Sequence, residues 1–440
     1  RSFEKELGRE VIRPNMAGLM GAYGAALHGK SLGLAHSALM SADRLDSFTH
    51  SSKAVQCGLC NNHCNLTVNT FSGGKRCISG NRCERPTGAA QREELPNLFA
   101  YKLNRILELG KLHGSGKRGT IGIPLALSMY ENLPFWHTFF TSLGFEVVLS
   151  DLSSTELYSK GRYTIPSDTV CYPAKLMHGH IENLLDKKVD AIFYPCLTYN
   201  FDEGKGDNHY NCPVVAYYSE LMQANITRLS ESKFLYPYWG LHRPVDFAAK
   251  SYEYLKSYYP DLHRSEVKKA ADAAYAEYHH QHEELIAEGG RAIALARERG
   301  LQIVVLAGRP YHIDPEINHG IDKLIASFGI VILTEDAVAD LVTPQKVNVL
   351  NQWTYHARLY NAAKYCTQNP DTELIQLVSF GCGIDAITTD EVRDIMESAG
   401  RLYTQLKIDE INNLGAVKIR IRSLLGAIEE RRHTAQGVEA

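Results

Sequence analysis

From residue 117 onward, short apolar runs alternate with longer stretches of helical periodicity. Most runs are bounded by Gly, Pro or Asp and are rich in Val, Ile and Phe, which is typical of buried strands. The predicted strands are 118–124, 145–151, 190–196, 214–218, 301–310, 329–336 and 374–382. Strands that alternate with helices predict parallel sheets covered by helices. We therefore predict an α/β fold with two Rossmann-like parallel-sheet lobes and helical connections.

Two further patterns divide the chain. Residues 95–109 place apolar side chains three or four positions apart, and residues 245–298 are rich in Ala, Glu and Lys, so both stretches are predicted to be helical. Residues 388–434 are predicted to be closing helices. The predicted organisation is a tail with a linker (1–50), a cysteine-rich segment with an exit helix (51–116), a first lobe (117–244), a helical connection (245–298), a second lobe (299–400) and C-terminal helices (401–440).

Five of the ten cysteines lie within residues 55–86, before the first lobe. Cys57, Cys60, Cys64 and Cys83 have the spacing C-x2-C-x3-C-x18-C, with Cys77 as a fifth candidate. A C-x2-C turn lets two thiolates reach one metal centre, and a distant cysteine can complete the coordination. We predict a zinc or iron–sulfur site here, since both accept four thiolates. The alternatives are buried free thiols or disulfides, and disulfides require an oxidising compartment.

The same segment contains glycine pairs and a proline, so we predict that its backbone is loop-like.

The other five cysteines lie in the predicted lobes. Cys196 and Cys382 end apolar runs, Cys171 precedes a predicted helix and Cys212 precedes a predicted strand. Ligands of open α/β sheets bind beyond the carboxyl ends of the strands, and helix N-termini favour thiolates and anionic clusters. We predict that Cys171, Cys196 and Cys382 bind a cofactor in a cleft between the lobes, with Cys212 as a fourth ligand or a neighbour. The alternative is that they are small buried hydrophobic residues, and we favour that interpretation for Cys366.

Polar residues near these cysteines leave two interpretations open. The loop at 308–320 is either a contact region for substrate or cofactor or an ordinary turn, and it contains Arg309, His312, Asp314 and His319. His178 and His180, which follow Cys171, either supply protons and hydrogen bonds to a cluster or lie on a solvated helix face.

Composition and motifs exclude several classes of function. The formal net charge of -3 gives no electrostatic signature of nucleic acid or anionic membrane binding. No apolar run approaches the roughly 20 residues of a membrane helix, and no signal peptide is visible, so we expect a cytoplasmic protein. The chain lacks a phosphate loop, a G-x-S-x-G elbow and an H-E-x-x-H motif, which leaves serine hydrolase and zinc protease functions without support.

Long motifs resemble one family, the large activase-related proteins of the 2-hydroxyacyl-CoA dehydratase, benzoyl-CoA reductase and double-cubane cluster group. The motifs are CGLCNNHCNLTV (57–68), SGGKRCISGNRCER (72–85), IPSDTVCYPAKLMHGHI (165–181), FYPC (193–196), DNHYNCPVV (207–215), LAGRPYHIDPEINHGI (306–321) and SFGCGIDAITTDEV (379–392). Residues 14–27 resemble the closing segment of the ATPase domains of this group. We therefore expect the chain to be the C-terminal part of a longer protein, with no ATP site of its own.

The resemblance implies electron transfer in anaerobes. An activating ATPase, as a subunit or on the same longer chain, would pass a low-potential electron to an iron–sulfur cluster between the lobes, and the cluster would reduce a small substrate. Carried over by motif, Cys171, Cys196 and Cys382 match the cluster cysteines and Cys212 is a further candidate. Cys57, Cys60, Cys64 and Cys83 match the N-terminal cysteine set, which would hold a second 4Fe-4S cluster or zinc.

The cluster type and the function remain open at this stage. A double-cubane 8Fe-9S cluster with three thiolates on each half needs six cysteines, so it would require the N-terminal set, and a single 4Fe-4S cluster is the alternative. The chain is either a reductase or dehydratase component or a non-catalytic zinc or iron–sulfur scaffold or electron relay that docks the ATPase. We also expect a homodimer.

Overall fold

A computed structural model describes residues 2–435 except 13–14, 34–35, 37–39, 60–63, 82–85, 87–94, 380 and 411–413. The chain divides into two compact units, one formed by Arg1–Lys53 and Val68–Cys77 and the other by Ala54–Thr67 and Ile78–Ala440. The first helices are α1 (Ser2–Leu7), α2 (Met20–Ser31) and α3 (Ala42–Asp46). No residue of α2 is buried, so its small residues do not serve tight packing among the described residues.

The cysteine-rich segment contains strands. A three-stranded sheet has the order β1-β2-β3, with β1 (His50–Gln56), β2 (Asn65–Phe71) and β3 (Arg76–Ser79). Gly73 and Gly74 connect β2 to β3 with φ angles of 93° and 80°, which only glycine adopts readily. The prediction of a loop-like backbone is therefore wrong for these strands, because the glycine pair marks the turn of a hairpin.

The first lobe contains a four-stranded parallel sheet of order β5-β4-β6-β7. Its strands are β4 (Thr120–Ile123), β5 (Glu146–Leu149), β6 (Ala191–Phe193) and β7 (Lys233–Leu235). The register pairs Ile121 with both Val147 and Ala191. The helices of this region are α4 (Leu98–Leu109), α5 (Met129–Ser142), α6 (Thr155–Gly161), α7 (Tyr172–Asp186) and α8 (Pro213–Asn225).

Two helices, α9 (Pro244–Tyr258) and α10 (Arg264–Glu298), lead to the second lobe. Its parallel sheet has the order β11-β10-β8-β9, with β8 (Ile303–Ala307), β9 (Val331–Leu333), β10 (Thr372–Ser379) and β11 (Thr404–Ile408). The helices are α11 (Pro315–Asn318), α12 (Ile321–Ala326), α13 (Glu335–Val338), α14 (Thr354–Gln368), α15 (Gly383–Ser398) and α16 (Leu414–Ala435). One apolar core contains residues of both sheets, including Ile121 and Val304.

The predicted α/β class with two parallel sheets is confirmed, and six of the seven predicted strands coincide with observed ones. The prediction of a strand at 214–218 is wrong, because these residues belong to α8. Pro213 fits the first turn of that helix, and the buried residues Val215, Ser219 and Met222 recur every three or four positions. The all-helical prediction for 388–434 is also wrong, since β11 interrupts it. No helix in the described ranges is long and apolar enough to cross a membrane.

Candidate functional site

The carboxyl ends of the two parallel sheets carry most of the polar residues that the sequence singled out. In the first sheet β4 lies between β5 and β6, and in the second sheet β8 lies between β9 and β10. In each sheet, the two strands that come next in the chain therefore lie on opposite sides of this central strand. Such points open a crevice in which α/β proteins bind ligands. Tyr194 and Cys196 follow β6, Arg309 follows β8, and Cys382 follows β10.

Three cysteines begin three different helices. Cys171 is the N-cap of α7, Cys212 of α8 and Cys382 of α15. In α7 and α8 a proline stands in the first turn, where its missing N–H and fixed φ suit a helix start. The Val215 N–H donates to Cys212 Sγ at 3.4 Å. Each thiol therefore lies at the positive end of a helix.

These three thiols share one environment, with contributions from both lobes. The Cys171 thiol interacts electrostatically with Cys212, Cys382 and Arg309. Arg309 Nη2 donates to Cys382 Sγ at 3.5 Å. A side chain at Gly381 would lie 3.5 Å from the carbonyl oxygen of Thr169, so the loops that precede α15 and α7 meet here. The structure thus places Cys171, Cys212 and Cys382 in one electrostatic environment, but it does not arrange them as a metal-binding group.

Burial keeps the thiols of Cys171 and Cys212 protonated in the metal-free protein. It raises the pKa of Cys171 to about 12, with a smaller contribution from Cys212 and Cys382 and with the Ala174 N–H and Arg309 opposing the rise. Burial also raises the pKa of Cys212. Any metal that binds thiolates at this site must therefore displace protons.

A buried cation stands beside the thiols. Arg309 is 4% exposed, pairs with the Asp385 carboxylate, and contacts His356 Nε2 at 3.2 Å. Burial disfavours its charge, but Asp385, Tyr311 and Cys382 outweigh burial and raise the pKa of Arg309 well above its usual value. Burial, followed by the charge of Arg309, lowers the pKa of His356 well below its usual value. The positive charge therefore resides on Arg309, and His356 is neutral.

A buried hydroxyl without an acceptor lies near the same sulfurs. Tyr194 is 1% exposed, and its OH has no hydrogen-bond partner among the described residues. Burial raises the pKa of Tyr194 well above its usual value, with further contributions from Tyr218, Cys196, Cys212 and Cys171. A buried O–H that lacks an acceptor costs about 1–3 kcal/mol. A thiolate or sulfide at this site would provide the acceptor.

Cys196, which the sequence predicts as a ligand together with Cys171 and Cys382, has different neighbours. Its Sγ lies 2.9 Å from Ser219 Oγ. Burial raises the pKa of Cys196, and hydrogen bonds with Ser219 and Tyr238 partly oppose the rise. It lines a pocket with Tyr238 and His242 on the first lobe. Cofactor binding by Cys196 stays a prediction, as does binding by the other three cysteines. Cys366 is fully buried in α14, in keeping with the hydrophobic role expected for it.

The N-terminal cysteine set is only partly described. Cys60 and Cys83 lie outside the described residues. The Cys57 N–H donates to the Cys64 carbonyl oxygen at 2.8 Å, and Cys77 is exposed in β3. Among the residues that the structure describes, no group of three or more His, Cys, Asp or Glu side chains is arranged to hold a metal ion. Metal binding by this set stays a prediction.

His178 and His180 are fully buried in α7, so the alternative of a solvated helix face is wrong. His178 contacts Thr164 Oγ1 at 2.8 Å and the Tyr218 OH at 3.0 Å. Burial lowers the pKa of His178 to about 4 and that of His180 to about 3. Both imidazoles are therefore neutral near pH 7.

The loop at 308–320 is buried, and its contact with a substrate or cofactor stays a prediction. Asp314 is 0% exposed, and its Oδ2 accepts from the Tyr130 OH at 2.7 Å and from the Ser153 OH. Ser153 Oγ lies 2.9 Å from His180 Nε2, and Ser150 Oγ lies 2.7 Å from His180 Nδ1. Asp314 comes from the second lobe and the other four residues come from the first. We call these five residues the Asp314 network.

Proton positions in the Asp314 network follow from its chemistry when Asp314 is ionised. The carboxylate only accepts, so Ser153 donates to it and accepts from His180 Nε2–H. His180 Nδ1 then accepts from the Ser150 OH, whose oxygen accepts from the Leu125 N–H at 2.8 Å. Burial raises the pKa of Asp314 to about 6, although Ser153 and Tyr130 partly oppose the rise.

The remaining histidines of this loop bind backbone groups. The Arg309 N–H donates to His312 Nδ1 at 3.1 Å, and His319 Nε2 lies 2.5 Å from the carbonyl oxygen of Asp409. A Cβ at Gly308 would lie 2.3 Å from His312 Nδ1, so glycine is required for this close approach. These histidines position the loop that carries Arg309 and Asp314.

An open apolar groove of about 790 Å³ reaches the surface next to two of the cysteines. Val170, which precedes Cys171, and Pro213, which follows Cys212, both line it, together with Tyr217. Sequence reasoning missed this groove, because it forms between α8 and a loop 40 residues earlier. It also missed Tyr194 and Asp385, although both stand in motifs around the predicted cysteines, FYPC and SFGCGIDA.

A comparison with models of protein families finds a match. Residues 120–338, which are 219 of the 440 residues, match the family described as CoA enzyme activase uncharacterised domain (DUF2229). The matched region contains Cys171, Cys196, Cys212 and Arg309. No curated protein matches the chain. The match to a CoA enzyme activase domain family fits the activase-related group that the motifs of this chain resemble.

Proposed function

We propose that the chain is the iron–sulfur component of an ATP-dependent, low-potential reductase or dehydratase-like system. Cys171, Cys212 and Cys382 would hold a cluster between the lobes, which would take electrons from an activating ATPase and deliver them to a small substrate. One observation carries the proposal: three thiols at three helix N-termini share one environment with a buried arginine. The matched family, described as a CoA enzyme activase domain, supports the ATPase partner.

The residues present suit an iron–sulfur cluster. Soft thiolates are the usual ligands of such clusters, and the helix N-termini and Arg309 would balance their negative charge. The Tyr194 OH, which has no partner, would donate to a sulfur. Each cysteine of a cluster binds a different iron, so the thiols need not converge on a single point as they do around one ion.

The number of thiols favours a cubane over a double cubane. Three cysteines meet in the lobes, which is half of the six that a double-cubane cluster requires. When bound, a 4Fe-4S cluster on three thiolates would supply one-electron chemistry and leave one iron without a protein sulfur. Cys57, Cys60, Cys64 and Cys83 would hold a second 4Fe-4S cluster or zinc.

The surrounding residues would prepare the site for this chemistry. Asp385 holds Arg309 in place, and Arg309 keeps a positive charge next to Cys382. Arg309 and Asp385 are both buried, which strengthens the electrostatic interaction between them. The apolar groove beside Cys171 and Cys212 would admit the substrate.

Anaerobic purification followed by iron, sulfide and zinc analysis tests the proposal. Replacing Cys57 and Cys64 with alanine first removes two ligands of the N-terminal set, so that the lobe site is measured alone. In that background we expect about four irons with matching sulfide, since a cubane holds four. Cys382→Ala should lose them, whereas Cys366→Ala, which changes a buried cysteine elsewhere, should retain them. Zinc without sulfide after iron–sulfur reconstitution would contradict the proposal and favour the scaffold.

A further inference from the structure

A second pocket lies at the carboxyl ends of β6 and β7, away from the three clustered cysteines. Cys196 and Tyr238 follow these strands and continue their parallel pairing as an isolated bridge. The pocket has a volume of about 390 Å³ and includes Cys196 among its lining residues. It therefore occupies an edge of the sheet where α/β proteins bind ligands.

Two cationic side chains, two histidines and one carboxylate line this pocket. Arg243, Lys250, His209 and His242 line it, and Asp246, 3.7 Å from Arg243, is the only carboxylate among its lining residues. Arg243 is the N-cap of α9, and its side chain does not cap the helix, so free N–H groups of the first turn add positive potential. Lys250 is exposed and belongs to the same helix. These features match the requirements of an anion.

Two histidines in this pocket have buried ring nitrogens without partners. Within the part of the chain that the structure describes, His209 Nε2 and His242 Nδ1 make no hydrogen bond, and the centroids of the two rings are 5.3 Å apart. A Cβ at Gly240 would lie 2.8 Å from the His242 ring, so glycine makes room for it. Burial, with His209 and Arg243 adding to the effect and Asp246 opposing it, lowers the pKa of His242. One ring nitrogen of each histidine is thus buried without a hydrogen bond among the described residues, next to the cationic side chain of Arg243. A buried polar atom without a hydrogen bond destabilises the folded protein unless a ligand supplies the missing partner.

We propose that this pocket binds a small oxyanion, the carboxylate or phosphate group of an organic metabolite. Lys250, Arg243 and the two histidines bind the anionic group. The rings of Tyr199 and Trp239, which also line the pocket, contact the carbon skeleton. The proposal does not rest on the iron–sulfur function, since none of Cys171, Cys212 and Cys382 lines this pocket.

Calorimetric titration of the purified, cluster-loaded chain with inorganic phosphate and, separately, with acetate tests this site. We expect saturable binding of at least one probe, and the tighter probe identifies the anionic group. Lys250→Glu and His242→Leu should each weaken binding by about tenfold or more, because the first removes a positive charge and the second removes a hydrogen-bond donor to the anion. Lys268→Glu is the matched control, since Lys268 is exposed on α10 and does not line the pocket, and it should not change binding.

The outcomes separate this proposal from the cluster proposal. Cys171→Ala should retain anion binding even if it loses iron. The inference fails if both probes bind with a Kd above about 10 mM. It also fails if the Lys250→Glu chain binds the probes as tightly as the unchanged chain. Because Lys250 is exposed, its replacement should not disturb folding.

Discussion

Replacing Asp314 with asparagine should change how the stability of the protein depends on pH. Asp314 is fully buried, and it accepts hydrogen bonds from Tyr130 and Ser153 of the other lobe. Within the described part of the chain, no Lys, Arg or His forms an ion pair with it. Its negative charge is therefore stabilised by hydrogen bonds alone, and burial raises the pKa of Asp314 to about 6 from an ordinary value of 3.8.

The size and sign of the effect follow from that pKa difference. The folded protein holds the Asp314 proton more tightly than the unfolded chain, so the stabilising contribution is complete below about pH 4 and is lost as the pH rises through about 6. A difference of about two pKa units corresponds to about 3 kcal/mol of unfolding free energy. Asp314→Asn stays neutral throughout and should not lose this free energy.

Urea unfolding between pH 4.5 and 7.5 measures the effect. The unfolding free energy of Asp314→Asn minus that of the unchanged chain should increase by about 2 kcal/mol from the lowest to the highest pH, since part of the full effect falls below pH 4.5. A hydrogen-bond loss of about 1–2 kcal/mol would shift the whole difference curve without changing its slope. Asp390→Asn, at an exposed carboxylate of α15, is the control. A flat or falling difference curve for Asp314→Asn would refute the reasoning.

Three further predictions concern the cysteine site and the packing of the first lobe. Arg309→Met should lower the unfolding free energy by about 3–5 kcal/mol, because it leaves Asp385 buried without its cation; a second substitution, Asp385→Leu, should restore most of the loss in urea unfolding. In the metal-free protein at pH 8, Cys171 should react with iodoacetamide on the order of a thousandfold more slowly than an ordinary thiol, because burial raises its pKa to about 12. Mass spectrometry measures this rate, and reaction at the rate of an ordinary thiol would contradict the burial of Cys171. Gly179→Ala should lower the free energy of unfolding by about 2 kcal/mol or more, since its Cβ would lie 2.2 Å from a backbone oxygen of α6. Gly290→Ala, whose Cβ would have no atom within 4 Å, should instead stabilise α10 by about 0.5–1 kcal/mol, and thermal unfolding measures both effects.

The sequence predicted the sheets well because their strands are continuous apolar runs with clear boundaries. It failed at residues 214–218, where β-branched and aromatic residues suggested a strand. The proline that starts α8 and the helical spacing of its buried residues outweigh strand propensity there. Strand β7 was missed because only three residues, Lys233–Leu235, form it, and they gain stability from pairing with β6.

The sequence also indicated which cysteines are candidate ligands, but it did not indicate which of them share one environment. Cys171, Cys212 and Cys382 carry local signals, since each directly precedes a helix. Cys196 follows a strand at the same edge of the first sheet, but it packs against Ser219 of α8. The long loops between the strands and helices determine which thiols share an environment. No pattern of neighbouring residues in a single sequence predicts the paths of such loops.

The most direct test of the central claim is the electron paramagnetic resonance spectrum of the reduced, anaerobically purified chain that lacks Cys57 and Cys64. The spectrum should show a reducible 4Fe-4S cluster that is lost in Cys171→Ala, Cys212→Ala and Cys382→Ala, and Cys196→Ala should retain it, because Cys196 packs among different neighbours. A signal that survives Cys382→Ala, or one that disappears only in Cys196→Ala, would contradict the assignment of the cluster to the three helix N-termini.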